Sequence, residues 1–342
     1  MDWTLFENLD RLRRQQGMLL DALGLGPVEA PYREVFGAPG VSLRRYGSGD
    51  ESGPVVLIVP APIKRPYIWD LAPEVSAVRR CLARGARVLL VDWQPAPPRF
   101  GLAEYGARLI RDCLDAAGAS RAVLLAHSLG GLLAAIFAAL YPERVQGLAL
   151  LAAPLHFGAD TPVFRAMVAG LEADALPDAL PGSFLSAASL HAAPDTFGAA
   201  RLADALASFA DPAAWRTHLQ VERWALDEFA LPRRLVAELA IRIVREDRFA
   251  RGTLRIGRRS AAPSRLAAPL LCVVDPRCRL VPPAAVLPLV EAAGSRDKTV
   301  LHYEGDVGVS LQHVGPLVGR RAHALLWPRI LDWIERVGRR GA

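Results

Sequence analysis

The feature that most constrains the fold is residues 124–131, LLAHSLGG, an apolar run that ends in a serine between small residues. The alanine- and leucine-rich stretch 132–141 follows directly. This order is typical of a buried strand, a tight turn with Ser128 at its tip, and a helix. Ala126 and Gly130, two positions before and after the serine, are small enough for such a turn. The pattern is G-x-S-x-G with alanine for its first glycine, and it predicts a nucleophile at Ser128.

Predicted strands and helices alternate on both sides of this turn. The predicted strands are residues 55–59, 86–92, 121–126, 146–152, 270–274 and 299–303, and the predicted helices are residues 69–84, 102–117, 132–141 and 322–337. Strands that alternate with helices of this length form parallel βαβ units, with helices on both faces of the sheet. The predicted fold class is therefore α/β.

The strand rhythm stops between residues 156 and 262, where prolines interrupt an alanine- and leucine-rich stretch. We expect this insertion to be a helical lid over the carboxyl ends of the strands, where ligands bind in such folds. Residues 1–50 are expected to form an N-terminal helical segment. Within it, residues 2–25 have the spacing of an amphipathic helix, which lies on the main body or serves as a partner surface. Residues 51–155 and 263–342 form the core.

Composition narrows the class of protein. The chain has 342 residues, 52% of them hydrophobic, and a formal net charge of +6. The positive charge comes almost wholly from arginine, because Lys64 and Lys298 are the only lysines. The arginines are not interleaved with aromatic residues, which argues against nucleic-acid binding, whereas a basic surface suits acyl-CoA or an anionic granule surface. The sequence is also compatible with a homodimer.

Cysteine usage and hydropathy indicate the compartment. The four cysteines, Cys81, Cys113, Cys272 and Cys278, have neither CxxC nor zinc-site spacing, so we predict no metal and no cofactor. No signal peptide is recognisable at the start of the sequence, and no apolar run reaches the roughly 20 residues that a membrane span needs. The expected location is cytoplasmic, with no transmembrane segment.

A serine nucleophile needs a base, since its hydroxyl is protonated at neutral pH. Of the seven histidines, His313 follows the last predicted strand, where the chain order serine, acid, histidine places the base in this architecture. His127 adjoins Ser128, and its side chain is expected to point elsewhere. The turn pattern alone also fits an ordinary serine, so the prediction depends on His313 as well.

The residue that orients the base is less constrained by the sequence. Asp275 comes directly after the predicted strand 270–274, which makes it the first candidate for the acid. Its position before a proline is equally typical of a turn residue. Asp160, beyond the preceding strand, is a second candidate, and Asp306 is a third that has the sequence context of a turn.

Five segments together resemble the polyhydroxyalkanoate synthases. They are VPAPIKRPYIWDLAPE at 59–74, WALDEF at 224–229, EDRFARG at 246–252, CRLVPP at 278–283 and QHVGPLVG at 312–319, together with the serine turn. The resemblance covers residues 55–319 and implies an α/β-hydrolase fold. One expected oxyanion donor is the backbone N–H of Leu129, at the start of the helix that follows Ser128. By its position after the first strand, the loop 60–67 is expected to supply the second. Because Pro62 and Pro66 have no N–H, that donor is Ile63, with Ala61 as the alternative.

Two positions depart from that family. The synthases use a cysteine nucleophile where this chain has Ser128, and an aspartate where it has Cys278. A serine forms an oxygen ester and depends more on its base, so the departures favour hydrolysis of an ester, a thioester or a hydroxyalkanoate-related substrate over polymerisation. Two alternatives stay open: a synthase-like acyltransferase, and a non-catalytic granule-binding relative. Cys278 has no sequence neighbour that would activate it as a nucleophile.

Overall fold

The computed structural model describes residues 3–48 and 52–339. Its strands are β1 (Tyr32–Ala38), β2 (Val41–Tyr46), β3 (Val55–Val59), β4 (Arg87–Trp93), β5 (Ala122–His127), β6 (Val145–Leu151), β7 (Ala179–Leu180), β8 (Leu231–Pro232), β9 (Leu254–Ile256), β10 (Arg259–Ala261), β11 (Leu270–Val274) and β12 (Lys298–His302). Eight of these form one sheet in the order β1-β2-β4-β3-β5-β6-β11-β12. The six strands from β4 to β12 in that order run parallel, and β1 and β2 are antiparallel additions at one edge.

The helices cover both faces of the sheet and continue between β6 and β11. They are α1 (Trp3–Ala22), α2 (Ala77–Ala83), α3 (Leu109–Ala116), α4 (Leu129–Leu140), α5 (Pro162–Val168), α6 (Gly182–Ala192), α7 (Ala200–Ser208), α8 (Pro212–Ala225), α9 (Arg233–Glu238), α10 (Leu287–Ala292), α11 (Gly315–Val318) and α12 (Trp327–Arg339). Short π-helical turns precede α3, α7 and α12 and follow α9. Within residues 3–48 and 52–339, no helix combines the length and the apolar character needed to cross a bilayer.

The sheet separates two clusters of buried side chains. Alternate residues of β3 face opposite clusters: Leu57 packs in one and Ile58 in the other. All five residues of this strand are buried, as expected for a strand covered on both faces by helices. Helix α4 is buried along nearly its whole length, which explains its almost uniformly apolar sequence.

Residues 156–262, called the cap segment from here on, contain α5 to α9 and the short strands β7 to β10. The two strand pairs, β7 with β8 and β9 with β10, lie outside the main sheet. The cap segment leaves the sheet after β6 and returns to it at β11. This placement puts the helices of the cap segment next to the carboxyl end of β5, where Ser128 lies.

Two predicted elements differ from the structure. The helical segment expected over residues 1–50 is helical only in α1 as far as residues 3–48 show, and residue 2, where the predicted helix began, lies outside the described residues. Strands β1 and β2 follow, joined by a turn at Gly40 with φ of 90°. The single helix expected over 69–84 is one 3₁₀ turn (Pro73–Val75) and the short α2, because Pro73 cannot donate a helical hydrogen bond.

Candidate active site

Ser128 occupies the sharp turn between β5 and α4. Its backbone has φ 54° and ψ −132°, an uncommon conformation for a residue other than glycine. Its N–H donates to the carbonyl oxygen of Leu151 in the neighbouring strand at 3.1 Å. A strained backbone of this kind persists where the surrounding structure holds it, and it is found preferentially at functional sites.

Two glycines allow α4 to pack this close to the sheet. A Cβ on Gly130 would lie 2.2 Å from the carbonyl oxygen of Val59, and one on Gly131 would lie 2.4 Å from the Cβ of Ala153. Both distances are far below contact distance. The small residues in the sequence pattern are therefore required by the approach of helix and strand.

His313 is the residue that the fold brings to Ser128. It lies in a 3₁₀ turn (Gln312–Val314) after β12, and its Nε2 is 2.8 Å from the Oγ of Ser128. The two residues are 185 positions apart in the chain. An imidazole nitrogen at this distance can accept the hydroxyl proton as the oxygen attacks a carbonyl carbon.

The environment of His313 keeps its imidazole neutral. The side chain is buried, and this burial lowers its pKa well below the ordinary histidine value. The neighbouring imidazole of His127 lowers the pKa of His313 further. A neutral imidazole is the form that can accept a proton, so the protonation state of His313 suits a general base.

His127 makes a contact that the sequence did not predict. Its Nε2 donates to the backbone carbonyl oxygen of His313 at 2.8 Å, and the two rings lie 4.7 Å apart. Burial lowers the pKa of His127 to about 4, so this ring is neutral as well. The expectation that His127 points away from the site is therefore wrong: it holds the backbone of the base. No sequence pattern marks this contact, because it joins residues 186 positions apart.

Asp275 does not orient His313 in this structure. One of its carboxylate oxygens accepts from the backbone N–H of Arg277 at 2.8 Å, which is the turn role that the sequence left open. Among the described residues, Nδ1 of His313 has no hydrogen-bond partner. The expected triad is thus corrected to a Ser128–His313 pair, because the carboxylate closes its own turn at the end of β11 instead of reaching the ring.

The other candidates also lie away from the imidazole. Asp160 is exposed on a loop of the cap segment. Asp306 accepts from the N–H groups of Arg321 and Ala322 at 2.7 and 3.0 Å, so it binds the start of a helix. Cys278 is buried, and burial raises the pKa of its thiol, which opposes a nucleophilic role.

The proposed oxyanion donors both lie at the cavity beside Ser128. Leu129 is the first residue of α4, and Ile63 lies in the proline-rich loop that follows β3. This loop is attached to the cap segment: the carbonyl oxygen of Ile63 accepts from the N–H of Phe229 at 3.0 Å, and Lys64 forms an ion pair with Glu228 at 2.9 Å. Lys64 is therefore neutralised within the protein.

Ser128 and His313 open into a cavity of about 670 Å³ between the sheet and the cap segment. Its wall is mostly apolar, with Phe157, Phe164 and Phe184 among the residues that line it. Helix α1 contributes Leu12 and Gln16 to the same wall. A cavity of this size and character suits an acyl chain.

The geometry defines a class of protein: a parallel sheet, a serine on a strained turn between strand and helix, and a histidine after the last strand. This chain has the α/β-hydrolase fold. The sequence profile described as alpha/beta hydrolase fold matches residues 54–201.

Solved structures agree in fold. A monoacylglycerol lipase from Paleococcus ferrophilus has a TM-score of 0.54 at 18% identity, and the match covers 87% of this chain and 99% of that one. A thermophilic esterase from Thermogutta terrifontis has the same TM-score and identity and covers 90% of this chain and 100% of its own.

In sequence, the chain is distantly similar to poly(3-hydroxyalkanoate) polymerase subunits over most of its length. The subunit from Haloferax mediterranei is 28% identical over 91% of this chain, and this chain spans 64% of that relative's length. The subunit from Allochromatium vinosum is 26% identical, with 96% of each chain covered. The resemblance drawn from the five segments is thereby supported as a distant relationship.

Proposed function

We propose that this protein is a serine-dependent acyl hydrolase. Ser128 attacks the carbonyl carbon of an ester or thioester, while His313 takes the hydroxyl proton and then delivers it to the leaving alcohol or thiol. Water, activated by the same imidazole, releases the acyl group from Ser128. The observation that carries the proposal is the 2.8 Å contact between the two side chains on a strained turn.

The substrate we propose is an ester or thioester with an uncharged acyl group, including hydroxyalkanoate esters and hydroxyacyl thioesters of CoA. The mostly apolar cavity supports this assignment. Three of the four cations that line the cavity are already paired, Lys64 and Arg13 with Glu228 and Arg201 with Glu222. The fourth, Arg65, lies over the ring of Phe229, so an acyl group with a negative charge would meet few available partners.

Acyl transfer to a hydroxyacyl acceptor is the second candidate, and the distant similarity to polymerase subunits over more than nine-tenths of the chain favours it. The two reactions share the acyl-enzyme at Ser128 and differ only in the acceptor. If the reaction is acyl transfer, we propose that the protein binds the surface of a polyester granule. A non-catalytic role is disfavoured by the Ser128–His313 geometry.

The proposal is tested with a fluorophosphonate, which forms a covalent adduct only with an activated serine. Intact-mass analysis is expected to give one adduct on the folded wild-type protein and none on Ser128→Ala or His313→Gln. Ser295→Ala, which changes a buried serine outside the cavity, is the control and keeps the adduct.

A small organophosphate that can pass the cavity mouth serves as a second labelling reagent. If folded wild-type protein is labelled by neither reagent, the proposal is contradicted and the non-catalytic alternative is favoured. Where labelling occurs, product analysis with a hydroxyacyl-CoA separates hydrolysis from transfer. Free hydroxy acid indicates hydrolysis, and oligomeric ester indicates acyl transfer.

A further inference from the structure

The loop between β12 and the 3₁₀ turn leads into His313, and it contains three residues with left-handed backbones. Gly305 has φ 89°, Gly308 has φ 83° and Ser310 has φ 58°. Ser310 stands three residues before His313 and lines the cavity. A backbone of this kind on a serine costs free energy, so other contacts must hold the loop in place.

The cap segment supplies those contacts through one carboxylate. Asp204 of α7 accepts from the N–H of Gly308 at 3.0 Å with one oxygen and from the N–H of Ser310 at 2.7 Å with the other. The carboxylate is 8% exposed, so these bonds form away from bulk water. Charge-assisted bonds of this kind are stronger than bonds between neutral groups.

Asp204 is itself held from a second helix. Nδ1 of His218 in α8 donates to the same carboxylate at 2.8 Å, and the His218 ring stacks on Trp215 with 5.5 Å between ring centroids. Burial alone would raise the pKa of Asp204. The hydrogen bonds from His218 and from the two loop N–H groups outweigh burial and hold that pKa below its ordinary value. The carboxylate is therefore ionised and directed at the loop.

Two further contacts tie the same loop to α8. The hydroxyl of Ser310 donates to Glu222, whose carboxylate also accepts from Arg201. A Cβ on Gly308 would lie 2.4 Å from the carbonyl oxygen of Ala214, which shows how closely the helix approaches the loop. The cap segment and the loop of the base therefore pack as one body.

In a catalytic triad a carboxylate fixes the histidine ring directly, whereas the orientation of His313 depends on the loop that precedes it. Nδ1 of His313 has no partner within the described part of the chain, so no carboxylate fixes its ring directly. Its backbone carbonyl oxygen is held from the sheet side by His127. On the other side, the loop is held by the cap segment.

We propose that Asp204 is a positioning residue for catalysis: docking of α7 and α8 on the loop through Asp204 places the His313 imidazole against Ser128. The inference rests on the proposed function at Ser128. The cap segment then positions the His313 side chain in addition to covering the cavity. If α7 moves away from the loop, the contact between His313 and Ser128 is expected to be lost.

The test is Asp204→Asn, which keeps the size of the side chain and removes its charge. The second-order rate constant for fluorophosphonate labelling of Ser128 is expected to fall by about 10- to 100-fold, because a shift of about 1 Å in a catalytic group costs this much. With a soluble ester, kcat falls and KM stays within about twofold, since Asp204 itself is not among the residues that line the cavity.

The matched control is Glu238→Gln. Glu238 is also a cap-segment carboxylate that accepts from a core backbone N–H, that of Leu102 at 2.7 Å, and it lies outside the cavity. This variant is expected to label at the wild-type rate. Equal losses in Asp204→Asn and Glu238→Gln, or none in Asp204→Asn, overturn the proposal, because they reduce Asp204 to a general cap contact.

Hydrogen exchange of the peptide 304–313 provides a readout that needs no activity. Its N–H groups are expected to exchange faster in Asp204→Asn than in wild type or Glu238→Gln, even if the proposed hydrolase activity fails. If Asp204→Asn does not fold, His218→Gln replaces it: this variant retains Asp204 and removes one bond to it. Intermediate exchange and labelling then support the proposal, and wild-type values for both contradict it.

Discussion

At the scale of single residues, the candidate site is a serine and a neutral histidine, and no carboxylate of residues 3–48 and 52–339 orients the ring. Burial of His313 is the main cause of its lowered pKa, with His127 contributing. Because the base acts in its unprotonated form, a lowered pKa moves the acid limb of activity to lower pH. The pair is therefore predicted to stay active at pH values where an exposed histidine, with a pKa near 6.5, is already half protonated.

The first residue-scale prediction concerns this pH dependence. The rate of fluorophosphonate labelling at Ser128 is expected to be flat from about pH 8 down to about pH 6 and to fall only at lower pH. Intact-mass analysis of samples quenched at timed intervals gives the labelling rate at each pH, and circular dichroism confirms the fold. A half-maximal rate at pH 6.5 or above contradicts the assignment of a buried, neutral base.

The second prediction concerns Asp275. Because its carboxylate accepts from Arg277 N–H and not from His313, Asp275→Asn is expected to lower the labelling rate by less than about threefold and to leave the pH profile unchanged. A catalytic triad loses about 10⁴-fold in kcat when its aspartate is replaced by asparagine. If the rate falls by several orders of magnitude while the fold stays intact, Asp275 is the acid of a catalytic triad after all.

Sequence reasoning at this scale reached Ser128 and His313 and missed their neighbours. Ser128 has a local signature, since the small residues around it are required by packing within a few positions. His313 followed from its place after the last strand. The contacts of His127 and Asp204 join residues 186 and about a hundred positions apart, and no local pattern encodes them.

At the scale of elements, the turn between β5 and α4 depends on a close approach to β3. The Cβ that alanine would add at Gly130 lies within 2.6 Å of backbone atoms of Val59 and Pro60. Those atoms begin the loop that contains Ile63. Helix, strand and candidate oxyanion loop therefore share one contact that cannot relax by a side-chain rotation.

Gly130→Ala is accordingly predicted to lower the free energy of unfolding by about 1–3 kcal/mol and to slow Ser128 labelling, because α4 must shift away from β3. Urea denaturation measures the first effect. Gly170→Ala, where the added Cβ meets no atom within 4 Å, is the control and should stay within about 0.5 kcal/mol of wild type. Equal stability of the two variants contradicts the close approach.

Element prediction succeeded where burial produces a clear pattern. Strands β3 and β11 have the predicted bounds, because each is a continuous apolar run buried on both faces. The β1–β2 hairpin was missed because β1 is mostly exposed and carries no apolar run. In residues 69–84, helical spacing was present, but backbone rules at Pro73 prevailed.

At the scale of the whole molecule, exposed apolar side chains concentrate on α1 and on the cap segment, and three of them, Leu9, Leu12 and Leu190, line the cavity. Ten of the fifteen large apolar residues that are exposed in the described part of the chain lie on or just after α1 and in the cap segment: Leu5, Leu9, Leu12, Met18, Leu19, Leu23, Leu190, Leu202, Leu206 and Phe209. Helix α1 turns polar residues inward, where Asp10 accepts from the N–H of Ser183 at 2.7 Å. Leu5 and Leu19 of this helix are exposed outside the cavity, whereas Leu9 and Leu12 are exposed at the cavity itself.

This distribution predicts adsorption to an apolar ester surface, with the cavity mouth facing that surface. The double variant Leu19→Asp/Leu206→Asp is expected to reduce binding to a triolein emulsion by at least about tenfold in a flotation assay, because two charges must be desolvated at the surface. Leu325→Asp, at an equally exposed leucine outside the cap segment and α1, is the control. Unchanged flotation contradicts the prediction, and a change of oligomeric state instead assigns the surface to a second copy of the chain.

The sequence by itself determined the α/β class and the central strands, and it singled out Ser128 and His313, the two side chains that meet in the candidate site. Each of these follows from local rules: apolar runs form buried strands, and a sharp turn requires small residues. Only the tertiary structure decided that Asp275 closes a turn, that α1 lies across the cap segment, and that Asp204 holds the loop of His313. A carboxylate can accept from any nearby N–H group, and which one is nearby depends on how distant segments pack.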